Sequence, residues 1–148
     1  MAERIAIGAD HGGFRLKELL KKSLSRRGYI VEDCGTYTEK PCDYPLIGYR
    51  VAKAVSKGEV KRGILICKTG IGMAIVANKL PRVRSGVCNS ITQAKTSRLH
   101  NDTNVLSLAA RYINAEKAKK IVNVWLATKA EGGRHKRRVN QIRRLERK

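Results

Sequence analysis

The stretch Gly63-Ile64-Leu65-Ile66-Cys67-Lys68-Thr69-Gly70-Ile71-Gly72 decides how this chain is read. Four consecutive apolar residues, Ile64 to Cys67, make a buried strand and fall far short of the ~20 residues a membrane span needs. A Gly-rich turn follows at once and leads into a helix-type segment from Met73 to Leu80. The same alternation continues in both directions. Upstream, Arg4 to Gly8 reads as a strand, and Leu16, Leu19, Leu20 and Leu24 follow helical spacing up to Gly28. Tyr29 to Val31 reads as a second strand, followed by a polar loop from Cys34 to Asp43. Pro45 then suits the first turn of a helix whose apolar positions are Ile47, Val51, Ala54 and Val55. Downstream, Arg84 to Val87 and Asn104 to Leu108 are two more strands, separated by a helix ending near His100. Ala118, Ile121, Val122 and Trp125 form the apolar face of a further helix. Five strands joined by helices predict an α/β chain: a three-layer Rossmann-like fold around a five-stranded parallel sheet.

A length of 148 residues suits one domain, and 42% apolar residues suit a globular rather than a disordered chain. Arg4 and Asp10 flank only a strand-length apolar run, so no secretory signal is expected. Cys34, Cys42, Cys67 and Cys88 contain no C-x-x-C pair and no histidine at ligand spacing, which argues against zinc and against a disulfide framework. A reduced, cytoplasmic protein is expected. The charge is unusual: 32 Lys and Arg against 12 Asp and Glu give +20. Such an excess draws phosphorylated metabolites, nucleic acid or acidic partners alike. It thickens after Gly132-Gly133, where residues 134–148 form a basic helix or tail with an apolar stripe of only Val139, Ile142 and Leu145. A helix so polar is not expected to anchor on its own domain. Packing on a partner subunit, or anion binding, accounts for it better.

Ligands of open parallel sheets bind outside the carboxyl ends of the strands. The first strand runs into Asp10-His11-Gly12-Gly13, and the third into Cys67-Lys68-Thr69-Gly70-Ile71-Gly72. His100-Asn101-Asp102-Thr103-Asn104 precedes the fifth and is assigned to the same edge. Taken singly, each feature has an ordinary explanation. Asp10 can cap a helix, Cys67 can be a small core residue, His100 can answer a helix dipole, and a Gly-rich turn can simply connect. There is no G-x-G-x-x-G and no Walker A loop, so no nucleotide is indicated. Together, an acid, two histidines, a thiol and an amide-rich turn supply what proton transfer between adjacent carbons requires: a base, an oxyanion site and an acid for ring opening.

The chain resembles the type B ribose-5-phosphate isomerases, a family that includes galactose-6-phosphate isomerase subunits. The resemblance rests on Gly8-Ala9-Asp10-His11-Gly12-Gly13, Asp43-Tyr44-Pro45, the Cys67 turn, Ala77-Asn78-Lys79, His100 to Asn104, and Glu131-Gly132-Gly133-Arg134-His135. It implies interconversion of ribose 5-phosphate and ribulose 5-phosphate through an enediol, in the pentose phosphate pathway, with no metal and no organic cofactor. Cys67 then resembles the base, since Met73 stands where other members carry a glutamate. Thr69 and the N–H groups of Gly70, Ile71, Gly72 and Met73 would line the enediolate site. Asp10 and His100 resemble the ring-opening pair, with Tyr44 nearby and Asn101 on a hydroxyl. His11, Arg111, Arg134 and Arg138 resemble the phosphate-binding set; arginine's planar fork suits that task. The resemblance further implies a homodimer, or a dimer of dimers, in which C-terminal helices cross to the partner. Lys68 departs from the pattern, which has glycine after the cysteine. Isomerisation of allose or galactose 6-phosphate is the near alternative. A nucleic-acid-binding protein on an isomerase fold is the distant one; with aromatic content at 5%, only weak, nonspecific binding is expected.

Overall fold

Residue-by-residue alternation along the strands sets the layers of this protein. In the computed structural model, which describes residues 1–146, the elements run β1 (Arg4–Ala9), α1 (Phe14–Arg26), β2 (Ile30–Asp33), α2 (Tyr44–Ser56), β3 (Arg62–Cys67), α3 (Ile71–Ala77), β4 (Ser85–Val87), α4 (Ile91–Asn101), β5 (Val105–Ala109), α5 (Ala115–Ala127) and α6 (Arg134–Leu145). Side chains of a strand point alternately to opposite faces. Ile5, Ile7, Ile64 and Ile66 therefore meet Leu16, Leu20 and Leu24 of α1 and Ile121, Val122 and Trp125 of α5 on one face. Ala6, Leu65 and Cys67 meet Ile47, Val51 and Val55 of α2 and Met73 and Ala77 of α3 on the other. Burying each such Leu or Ile contributes about 1.5–3 kcal/mol, so the two apolar faces hold the three layers together.

The sheet is parallel throughout, in the order β2-β1-β3-β5-β4. From β1 the chain steps outward to β2, then returns across to β3. That reversal opens a crevice at the carboxyl ends of β1 and β3, where ligands of open sheets bind. The loops at this edge interlock, with Asp10 N donating to Ile66 O at 3.2 Å and Arg111 N donating to Lys68 O at 3.0 Å.

Element types agree with the sequence reading, and several boundaries move for local reasons. The helix expected over Met73–Leu80 starts earlier and ends at Ala77, because Gly70 takes a left-handed φ of 74° and lets the chain turn straight into α3. Pro81 disfavours helical geometry at Leu80. Arg84 stays outside β4 because its N–H donates to Asn104 Oδ1 at 2.8 Å rather than to a ladder. Leu19, assigned by spacing to the apolar face of α1, is 42% exposed.

The C-terminal helix requires a correction. α6 does anchor on its own chain: Val139 and His135 are buried, and the His135 ring stacks on His100 of α4 with centroids 4.0 Å apart. Ile142 and Leu145, the rest of its stripe, remain exposed. They line one end of a cavity of about 1050 Å³ that runs past Val87 and Cys88 of the sheet edge.

Candidate active site

The crevice is built from three backbone turns, each shaped by its own sequence. After β1, Asp10 is buried and its Oδ1 accepts from Gly12 N at 3.0 Å and Gly13 N at 3.2 Å. That turn holds the carboxyl group in place and, among the described residues, leaves Oδ2 without a protein partner. Gly13 must be glycine, since a β-carbon there would stand 2.6 Å from Ile66 Cγ2 and 2.8 Å from Ile66 O. His11 Nδ1 accepts from Cys42 N at 3.1 Å. In the neutral ring the proton then sits on Nε2, which is left as a donor.

At the end of β3, Cys67 is 5% exposed and its Sγ accepts from Gly70 N at 3.1 Å. The sulfur is thus held as an acceptor, the role a base must play. Thr69 Oγ1 accepts from Ile71 N at 3.2 Å, and the hydroxyl can still donate. Sequence reasoning offered four amides, Gly70 to Met73, to an oxyanion. Two of them are consumed inside the turn. Among the described residues, the N–H groups of Gly72 and Met73 have no protein acceptor, because they open α3 and lack a preceding turn. Tyr44 lies directly over Gly72, where a β-carbon would meet the ring at 2.6 Å. Arg111, just past β5, is exposed at the same edge.

The remaining candidates stand elsewhere, and here the placement of His100 and its neighbours at the carboxyl edge is overturned. α4 runs back from the carboxyl edge, so His100 and Asn101 at its end stand at the amino edge. Gly63 N, at the start of β3, donates to Asn104 O at 2.9 Å, and Arg98 donates to Asp102 Oδ1 at 2.9 Å and to Thr128 O at 3.0 Å. Arg134 and Arg138 begin α6 beside His100 and are exposed. A strand rises about 3.3 Å per residue, so the length of β3 alone puts roughly 17 Å between the two groups. One chain brings together Asp10, His11, Tyr44, Cys67, Thr69, Gly70 to Met73 and Arg111; it does not bring them to His100, Asn101, Arg134 or Arg138.

A family model described as Ribose/Galactose Isomerase matches residues 5–142. The chain belongs to the ribose/galactose isomerase family. It is 47% identical to ribose-5-phosphate isomerase B of Escherichia coli, over 97% of each chain. The structure of ribose-5-phosphate isomerase B from Clostridium thermocellum superposes with a TM-score of 0.95 at 46% identity, over 97% of each chain. That of Mycoplasma genitalium, with bound ribulose-5-phosphate, gives 0.96 at 37% identity, over 100% of this chain and 99% of that one.

Sequence reasoning passed over one residue of this family member's amino-edge cluster. His135, quoted only as part of a motif, is stacked on His100 at an interplanar angle of 7° and lies 3.6 Å from Glu131 Oε2. His100, Glu131 and His135 offer ligand atoms within 4.8 Å of one another. With parallel rings, however, one cation cannot lie in both ring planes, so the arrangement is a stack rather than a metal centre. Burial holds the His135 imidazole below its ordinary range, reinforced by the His100 and Arg134 charges and opposed by Glu131. The folded value is the lower one, so the unfolded chain binds more protons in the window between them. Stability is expected to be full above about pH 6.5 and to decline as pH falls below it. Urea midpoints between pH 5 and 8 check this, and His135→Phe should flatten that slope.

Proposed function

We propose that this chain is an aldose–ketose isomerase that interconverts ribose 5-phosphate and ribulose 5-phosphate, with Cys67 as the base. The observation that carries the reading is the convergence of the Cys67 sulfur, the Asp10 carboxyl group and the free Gly72 and Met73 amides in one crevice. With the open-chain aldose in that crevice, Cys67 takes the C2 proton and returns it to C1, while the O2 hydroxyl proton moves to O1. Negative charge develops on oxygen during the transfer. The amides and the Thr69 hydroxyl are donors suited to stabilise it. Proton transfer of this kind needs no cofactor. Relatives at 46–47% identity that carry this activity by name support the substrate class.

Ring opening and phosphate binding complete the site from a second copy. The amino-edge cluster of one protomer, His100, Asn101, Arg134 and Arg138, serves the carboxyl-edge crevice of the other. Asp10 and the partner copy's His100 then form the ring-opening pair, and His11 and Arg111 share the phosphate with the two arginines. Exposed Ile71, Ile75, Ile91, Ile142 and Leu145 give such a dimer an apolar surface to bury. Four free thiols support a reducing, cytoplasmic setting, and no helix among the described residues is long and apolar enough to cross a membrane.

A mixing experiment tests the shared site. Cys67→Ala and His100→Ala are each expected to be inactive as pure proteins. Unfolded together and refolded, half the dimers are mixed, and each mixed dimer has one fully native site. Activity should return to about one quarter of the native level, as twofold symmetry requires. No recovery, with mixed dimers confirmed by mass, would assign all the machinery to single chains.

A further inference from the structure

At the carboxyl edge, the mechanism above leaves Lys68 without a role. Lys68 follows Cys67 directly, yet the two separate at once. Cys67 turns toward α2 and α3, while Lys68 lies over the β1–α1 loop. A β-carbon at Gly12 would stand 2.7 Å from Lys68 Cγ and 3.2 Å from Lys68 Cε. The aliphatic stem is therefore laid over Gly12 of the Asp10-His11-Gly12-Gly13 turn, on an exposed side chain. Gly12, having no side chain, is what makes room for it.

Lys68 is exposed and forms no ion pair among the described residues. Its neighbours are donors of the same kind. Arg111 starts from the same point, with its N–H on Lys68 O at 3.0 Å, and among the described residues it too forms no ion pair. His11 has its Nδ1 occupied by Cys42 N and presents Nε2. The one acid in the turn, Asp10, has Oδ1 taken by two backbone amides and serves ring opening in the proposed mechanism. Lys68 and Arg111, on two loops that meet at the carboxyl edge, are like charges that repel unless an anion is shared between them.

We propose that Lys68 is a specificity-determining residue of this site: its ammonium receives the substrate phosphate together with His11 and Arg111, from the chain that supplies Cys67. This rests on the isomerase reading and names the group Lys68 reads, a phosphate monoester. A lysine suits the position because a point charge on a flexible stem can follow a phosphate from several angles. The role is binding, not chemistry, because the side chain leads away from the thiol.

Steady-state turnover of ribose 5-phosphate, competitive inhibition by inorganic phosphate, and calorimetric titration with inorganic phosphate test this on the native protein, Lys68→Met and Lys68→Arg. Methionine keeps the stem over Gly12 and removes only the charge. KM and both phosphate constants are expected to rise about tenfold in Lys68→Met, as for loss of one charge-assisted contact, with kcat changing less than about twofold. Lys68→Arg should restore most of the affinity. Unchanged phosphate affinity in Lys68→Met overturns the proposal. So does a fall in kcat at constant KM with a displaced basic limb of the pH profile, which would assign Lys68 to the thiol. The calorimetry keeps the two readings apart: a native protein that binds phosphate but isomerises no sugar phosphate defeats the isomerase reading, while the Lys68→Met titration still decides this one.

Discussion

Cys67→Ala is expected to lower kcat for ribose 5-phosphate by roughly 10²–10⁴-fold, the usual worth of a positioned acid–base group. Binding of the sugar phosphate should hardly change. Cys67 is 5% exposed and, among the described residues, its sulfur is hydrogen-bonded only to Gly70 N, so it adds little contact area to a ground-state complex. Its contribution lies in the transition state, where a proton is in transit. The substitution removes a single buried atom from the edge of the α2–α3 core, so the fold should survive with a modest loss of stability. Following ribulose 5-phosphate formation, alongside calorimetric binding of a non-isomerisable sugar phosphate, separates the two effects. Turnover near the native level would remove Cys67 from the mechanism. Activity and affinity lost together would mean that the turn itself had collapsed.

Asp33→Asn should be among the most destabilising single changes outside the site. Lys17 on α1 is fully buried, and its ammonium is held by both Asp33 oxygens at 2.6 and 2.7 Å. Lys21 Nζ and Gly35 N donate to the same carboxylate, at 2.7 and 2.9 Å. An amide at position 33 leaves the Lys17 charge with Glu18 alone, at 3.2 Å. Orphaning one member of such a pair costs about 3–5 kcal/mol, far more than the net worth of the pair. Urea unfolding at pH 7 measures the loss. A double variant, Lys17→Met with Asp33→Leu, should recover most of it, because no buried charge remains unpaired.

The same carboxylate gives the native protein an acid limb. Burial pushes the Asp33 pKa up, but hydrogen bonds from Lys17, Lys21 and Gly35 outweigh burial and leave it below the ordinary carboxylate range. Its folded value is thus lower than the unfolded value of about 3.9. The associated stability is present above that pH and is lost as pH falls through the folded value. In Asp33→Asn this limb should flatten, while the shallower decline that begins near pH 6.5 from His135 persists. An acid limb unchanged in Asp33→Asn would mean that Asp33 does not control acid unfolding.

Much of the architecture was legible because the relevant forces are local and periodic. Ile47, Val51, Ala54 and Val55 recur at helical spacing, and all four are buried in α2. Ala118, Ile121, Val122 and Trp125 do the same in α5. The crevice residues were legible too, since Asp10 and Cys67 each terminate a strand and the Gly-rich turn marks the chain reversal beside them. His100 was placed at the wrong edge, although chain order contained the answer. A segment that precedes a strand in a parallel sheet stands at its amino edge, opposite the place where the other strands deliver their reactive groups. The helix α6 was misjudged for another reason. A stripe of three apolar residues looks too thin to dock, but a stacked imidazole pair adds contact area that hydrophobicity counting does not register.

By itself, the sequence determined the layer order, the apolar faces and the identity of the reactive turns, because periodicity and turn chemistry act over a few residues at a time. Only the tertiary structure decided which of those turns meet. It consumed two of four turn amides internally, laid Lys68 over Gly12 instead of beside Cys67, stacked His135 on His100, and set the two halves of the candidate machinery on opposite edges of one sheet. Those outcomes depend on crossover paths and on side chains packing against residues distant in the chain, and no local pattern encodes them.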